Sequence, residues 1–280
     1  MKYNKNTIDE ILKPLNEFAK GKEPKVNHLI LGIYQGLAAD KALTFTQKLS
    51  FLGLASQLTE SNDEMTLIKI LQILLLIITR EDIIRAPMAK ETSALCLHLL
   101  NDKSQVVKNN VFAVLQQMYS LLFGKCAEAC KEKASIEELH KVCYEELKKL
   151  TLLLEDDSLK YLGMDILTMI FAKTKLELLN TPRMIKLLEN QCISKLKSFL
   201  KTGVNSFTSI IRTIKCSTQL MLSLNTYYDL LQHILILADS THLWQQYLAL
   251  ESFSILFAQP RQLVLMSNMI NDCSDSMVAI

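Results

Sequence analysis

STHLWQQYLALESFSILFAQPRQLVLM, residues 240–266, decides how this chain folds. Leu243, Tyr247, Leu250, Ser254 and Phe257 recur at three- or four-residue intervals, the spacing of one helix face and not the alternation of a strand. Pro260 follows; without a backbone N–H and with its φ fixed, it stops one helix and suits the first turn of the next. The stretch is a helix, a stop and a helix, with no catalytic group. It predicts a joint in a helical repeat, whose apolar stripes close against neighbouring helices.

The same pattern extends outward. Breaks are expected at 20–24, 39–44, 59–63, 80–87, 101–104, Gly124, 156–158, 180–182, 202–206, Asn225, 239–241 and 259–260. Asp63, Ser135, Ser158, Thr181, Ser206 and Ser240 stand where a side-chain oxygen can accept an orphaned N–H of the next helix, and Ser135 with Glu138 has capping-box spacing. In residues 101–124, Val107, Val111, Val114, Leu115, Met118 and Leu122 form the apolar stripe, with Lys103, Asn109, Gln116 and Gln117 away from it. LIKILQILLLIIT, from Leu67 to Thr79, has almost no polar face, so it belongs to an inner layer covered on most sides. It contains Lys69 and Gln72 and is too short to span a bilayer core, which takes ~20 apolar residues.

Helix pairs of this length repeat about every 40 residues, as in armadillo or HEAT units. With 7 glycines, 5 prolines and no Asn-Gly or Asp-Gly turn, a sheet is hard to build. The expected fold is all-α, an armadillo/HEAT-like right-handed superhelical α-solenoid of irregular helix pairs, whose default use is to bind proteins along its surface.

Composition excludes several classes. A net charge of +2 from 31 basic and 29 acidic residues creates no field for nucleic acid or an anionic membrane, so no nucleic-acid partner is expected. The 7 cysteines are scattered and odd in number, which fits reduced thiols and a cytoplasmic setting. The N-terminus lacks the continuous apolar core of a secretory signal.

The search for chemistry yields little. No Gly-x-Gly-x-x-Gly, Walker, Gly-x-Ser-x-Gly or His-Glu-x-x-His motif occurs, so no cofactor and no enzyme activity are expected. Cys126, Cys130, His140 and Cys143 could in principle surround zinc, but without a Cys-x-x-Cys knuckle they are better taken as ordinary helix residues. Cys96 and His98 should face different sides of a helix. Asp156 and Asp157 precede Ser158 as loop and cap residues, and Lys195, Lys197 and Lys201 lack interleaved aromatics, so a solvated face suffices for them. Trp244, the lone tryptophan, and Arg261 are the candidate partner contacts.

Four stretches in order resemble the N-terminal region of the Mon-two family of Golgi and endosome scaffolds, related to the large Arf guanine-nucleotide exchange factors. They are KEPKVNHLILGIYQGLAADKAL; MTLIKILQILLLIIT with the following ALCLHLLNDKSQVVKNNVFAVLQQMYSLLF; KLELLNTPRMIKLLENQCISKLKSFL; and residues 207–263, where Arg212, Trp244, Glu251, Gln259 and Pro260 stand in family order. The resemblance implies a dimerization-and-cyclophilin-binding-like module at 1–125, a charged connecting helix at 126–157 and a homology-upstream-of-Sec-seven-like module at 158–280. It further implies a noncatalytic scaffold for protein transport, peripheral at the trans-Golgi network or endosome through its partners. Those partners would be Dopey-like, Arf-family or flippase proteins, and a homodimer is allowed. The exchange factors' Asn-Tyr-Asp-Cys box is only echoed by Asn271-Asp272-Cys273, so exchange activity is not implied. The alternative is a generic armadillo or HEAT adaptor in nuclear transport or phosphatase assembly.

Overall fold

The computed structural model describes residues 5–19, 23–61, 63–82, 84–129, 136–174, 176–202, 206–224, 228–264 and 267. Among them every regular element is a helix: α1 (Lys5–Ala19), α2 (Pro24–Ala39), α3 (Phe45–Leu58), α4 (Glu64–Thr79), α5 (Ala86–Leu99), α6 (Gln105–Ala129), α7 (Ile136–Leu153), α8 (Lys160–Lys173), α9 (Leu176–Leu179), α10 (Pro182–Leu187), α11 (Ser194–Thr202), α12 (Phe207–Ser223), α13 (Tyr228–Ala238) and α14 (Leu243–Phe257). A π-helical turn, Leu188–Ile193, joins α10 to α11 without a break. The chain divides into two compact units, Met1–Lys125 with Glu132–Val142, and Cys126–Lys131 with Cys143–Ile280.

In the first unit α2, α4 and α6 begin at Pro24, Glu64 and Gln105, a recurrence of about 40 residues. Helices stack on their second neighbours, α1 on α3, α3 on α5 and α2 on α4. That is the two-layer arrangement of armadillo and HEAT-like α-solenoids. The aliphatic run of α4 is its inner layer: Leu67, Ile70, Leu71, Ile73, Leu74, Ile77 and Ile78 are all buried, and each contributes about 1.5–3 kcal/mol by leaving water. The α6 stripe, Val107, Val111, Val114, Leu115, Met118 and Leu122, is buried as its spacing requires.

Capping fixes where these helices start. Asp63 accepts the Thr66 N–H at 3.0 Å and opens α4. Thr44 and Gln47 form a reciprocal capping box at α3, a Thr-x-x-Gln signal the sequence carries but which the breakpoint at 39–44 did not use. Gln47 also donates from Nε2 to Asp9 Oδ1 at 2.8 Å, tying α3 to α1. Helix α2 ends with Lys41 at φ 54° and the Ala42 N–H on the Leu37 carbonyl at 2.9 Å. This is a left-handed stop of the kind glycine usually supplies.

In the second unit α8 packs along α12, α12 on α14, and α11 on α13. With α10 and α11 counted as one rod, this is again second-neighbour stacking. Ser223 Oγ donates to the Phe171 carbonyl at 2.6 Å, and Asn180 Nδ2 donates to the Ser223 carbonyl at 3.3 Å, so the ends of α8 and α12 and the α9–α10 turn are fastened together.

Several local expectations are corrected. Gly124 does not break a helix, since α6 runs on to Ala129; a single glycine costs a helix only about 1 kcal/mol. Ser158 is not a cap: α8 starts after Leu159, and Ser158 donates from N and Oγ to Asp156 Oδ1 inside the turn. Thr181 has the cap backbone but its hydroxyl donates to the Leu178 carbonyl. The cap of α14 is His242, not Ser240. Helix α8 also stops at extended Thr174, where no break was expected. Ser206 does cap α12, accepting from Ser209 N. Ser135 and Asn225 lie outside the described residues.

Candidate interaction surfaces

Helix α14 is turned over relative to the expected packing. Its buried residues are Gln245, Ala249, Ser252, Phe253 and Leu256, a stripe of helical period on the opposite side from Leu243, Tyr247, Leu250 and Phe257. Those four are 80%, 71%, 61% and 45% exposed. Small Ala249 and Ser252 let the helix approach α12 and α13 closely, and Ser252 Oγ donates to the Leu248 carbonyl at 2.9 Å. Buried Gln245 is held by Ser240, whose carbonyl also accepts from Gln246 Nε2 at 2.6 Å. Polar groups satisfied locally can therefore fill the inner face and leave the larger apolar side chains outside.

The two residues singled out in the sequence lie on this part of the second unit. Trp244 is half-buried; its ring stands edge-on to exposed Phe207 at 5.1 Å and stacks on His242 at 6.4 Å. Arg261 is exposed and lines a cleft of about 290 Å³ with Phe171, Gln219, Leu222, Gln259 and Gln262. Gln262 is occupied within the fold, donating from Nε2 to the Met221 carbonyl at 2.8 Å. On the first unit, exposed Leu29 and Ile33 of α2 and Met65 of α4 form smaller apolar features.

The minor candidates resolve into structural roles. Asp156 holds its turn, and the hydrogen bonds from Ser158 keep its carboxyl below the usual range. Asp157 pairs with Lys160 at 2.7 Å. Lys195 pairs with Glu155 at 3.4 Å, and Lys201 is exposed. Cys96 is buried, which pushes its thiol well up, and His98 is exposed on another side of α5. A thiol held protonated in this way is a poor nucleophile. No group of three metal-ligating side chains occurs among the described residues. The Cys126 side chain and Cys130 lie outside them, as do Asn271, Asp272 and Cys273. No described helix is long and apolar enough to cross a membrane.

Comparison with known proteins places the first unit. Residues 2–130 match the family model of the Mon2/Sec7/BIG1-like dimerisation and cyclophilin-binding domain. The chain is 26% identical over 133 residues to the Drosophila melanogaster protein described as "Protein MON2 homolog", an alignment covering 48% of this chain and 8% of that protein. The chain therefore matches a small fraction of that relative's length. A computationally designed armadillo repeat protein for modular peptide recognition superposes with a TM-score of 0.48 at 14% identity, over 87% of this chain and 99% of the designed one. Residues 2–130 are thus similar to the dimerisation and cyclophilin-binding domain of the Mon2/Sec7/BIG1-like family.

Proposed function

We propose that this chain is a noncatalytic scaffold in vesicle-mediated protein transport at the trans-Golgi network or endosome, acting by binding other proteins. The observation that carries the reading is the family match over residues 2–130, a module described by dimerisation and protein binding and not by a reaction. The exposed apolar side chains of α2 and α14 support it, because contiguous apolar surface on a folded protein commonly marks a protein-binding site. Residues 158–280 would act as the homology-upstream-of-Sec-seven-like module beside it. Membrane attachment would be peripheral, through recruited Dopey-like, Arf-family or flippase proteins.

Proximity labelling with the chain as bait, read together with the position of a fluorescent fusion against Golgi and endosome markers, tests this reading. Enrichment of Arf-family, Dopey-like or flippase proteins at those membranes is expected. A diffuse fusion whose labelled neighbours are nuclear-transport cargo or phosphatase subunits would defeat it.

A further inference from the structure

The cleft beside Arg261 lies where three helix ends of the second unit converge. The last turns of α8 and α12 and the segment after α14 enclose about 290 Å³ between Phe171, Gln219, Leu222, Gln259, Arg261 and Gln262. Several polar groups around it are used inside the fold. Thr174 Oγ1 donates to the Ile170 carbonyl at 2.6 Å, Ser223 Oγ to the Phe171 carbonyl at 2.6 Å and Gln262 Nε2 to the Met221 carbonyl at 2.8 Å. These bonds hold the walls in place. Gln219, Gln259 and Arg261 differ: among the described residues, none of these three side chains has a hydrogen bond or an ion pair. Unused donors and acceptors that converge on one concave place are what a ligand can satisfy.

Their chemistry narrows the ligand. Among the described residues of the lining, Arg261 alone is charged, so the cleft matches a single negative charge. A planar guanidinium meets a planar carboxylate through two parallel N–H···O bonds. A phosphate dianion fits worse, because α8 and α12 turn their C-terminal ends to the cleft, and such ends favour donors over further negative charge. The ligand should therefore bring an N–H beside its carboxylate. Half-buried Gln219 and exposed Gln259 carry carboxamides that both donate and accept, as an amide requires. Phe171 and Leu222 add apolar surface. Carboxylate, neighbouring amide and apolar side chain occur together at the end of a polypeptide. The volume agrees, since it stands at the lower limit for ligand pockets, about 300 Å³.

We propose that this cleft binds the C-terminal end of a peptide. Arg261 clamps the terminal carboxylate, Gln219 and Gln259 hydrogen-bond the last amide, and Phe171 and Leu222 receive an apolar final side chain. The site lies outside residues 2–130, so it is separate from any contact made by the matched region. It gives the protein-binding reading a ligand chemistry without depending on the compartment, so a failed titration and a failed localisation are separate results.

Nuclear magnetic resonance on the full chain tests it, read at the side-chain N–H signals of Arg261, Gln219 and Gln259. The probe is N-acetyl-alanyl-leucine with a free carboxylate, and it should shift all three with a Kd on the order of 1 mM. The same peptide with an amidated end should bind about tenfold more weakly, the scale of a hydrogen bond to a charged group. Arg261→Gln should reproduce that loss for the free acid and leave the amidated peptide unaffected; Gln219→Ala should weaken both. Circular dichroism verifies that the variants fold. Absence of shifts up to about 20 mM, equal affinity for acid and amide, or undiminished binding by Arg261→Gln would each overturn the proposal. Acetate, or an amidated peptide with an internal aspartate, binding as tightly as the free acid would overturn it too, because either would show a carboxylate site with no preference for a chain end.

Discussion

His28 of α2 and Asp63 at the start of α4 meet across a helix pair, with Nε2 3.1 Å from Oδ2. The same Nε2 lies 3.0 Å from Thr66 Oγ1, and Lys69 Nζ donates to the His28 carbonyl at 3.0 Å. Asp63 thus caps its own helix and anchors the neighbouring one. Asp63→Ala should lower stability by about 1 kcal/mol, as for other lost caps, and a double-mutant cycle with His28→Ala in urea should show non-additivity. Additive losses would mean the contact carries no energy.

The Asp63 carboxyl is held below its usual 3.8, first by the Thr66 hydrogen bond and then by His28. A depressed folded value means that the stabilisation is fully present above pH 3.8 and is lost as the pH falls through that lower value. Acidification from neutral to about pH 3 should therefore shift the urea midpoint less in Asp63→Asn than in the wild type. Equal shifts would leave Asp63 without a part in acid sensitivity.

Phe253 and Phe257 sit one turn apart on α14, stacked at 5.8 Å, yet Phe253 is 8% exposed and Phe257 45%. Phe253→Ala should cost about 3–5 kcal/mol, the range for a buried aromatic. Phe257→Ala should cost under about 1 kcal/mol, as for a surface position. Thermal melts of the two variants decide the orientation of the helix. Equal losses would restore the packing first expected for the Leu243 stripe.

Gly163 is fixed by its neighbours. A Cβ there would stand 3.2 Å from Leu153 Cβ and 3.3 Å from Leu154 Cδ2, where the start of α8 crosses the end of α7. Gly163→Ala should destabilise by about 1–2 kcal/mol through overpacking despite alanine's better helix propensity. A gain in melting temperature would show that the crossing relaxes freely.

Lys41 presents the opposite case, a side chain at φ 54° in the stop after α2. The left-handed region costs a residue with a Cβ about 1–2 kcal/mol. Lys41→Gly should raise the unfolding free energy from chemical denaturation by up to about 1 kcal/mol, and an unchanged or lower value would contradict the strain.

Ser223 bridges two helix ends by donating to the Phe171 carbonyl at 2.6 Å within the second unit. Removal of the hydroxyl strips a buried acceptor of its partner, so Ser223→Ala should lose about 1–3 kcal/mol. Faster amide exchange at the ends of α8 and α12 would accompany the loss. Exchange confined elsewhere would deny the bridge its role.

The amino-acid order alone determined that this protein is helical and roughly where its helices start. Period and caps are local properties: the α6 stripe from Val107 to Leu122, the apolar α4 run and the Asp63 and Ser206 caps each follow from residues within a turn or two of one another. The family resemblance over the first unit was carried in the same way, by residues in linear order. Which way a helix faces is not local. The α14 stripe of Leu243, Tyr247, Leu250 and Phe257 has the spacing of a core face, but small and self-satisfied residues on the other side, Ala249, Ser252 and Gln245, approach α12 and α13 more closely. Burial depends on the shape of the groove that receives the helix, and helices distant in sequence build that groove. Only the tertiary structure could therefore turn the stripe outward and place Trp244 against Phe207 and Arg261 at the edge of a cleft.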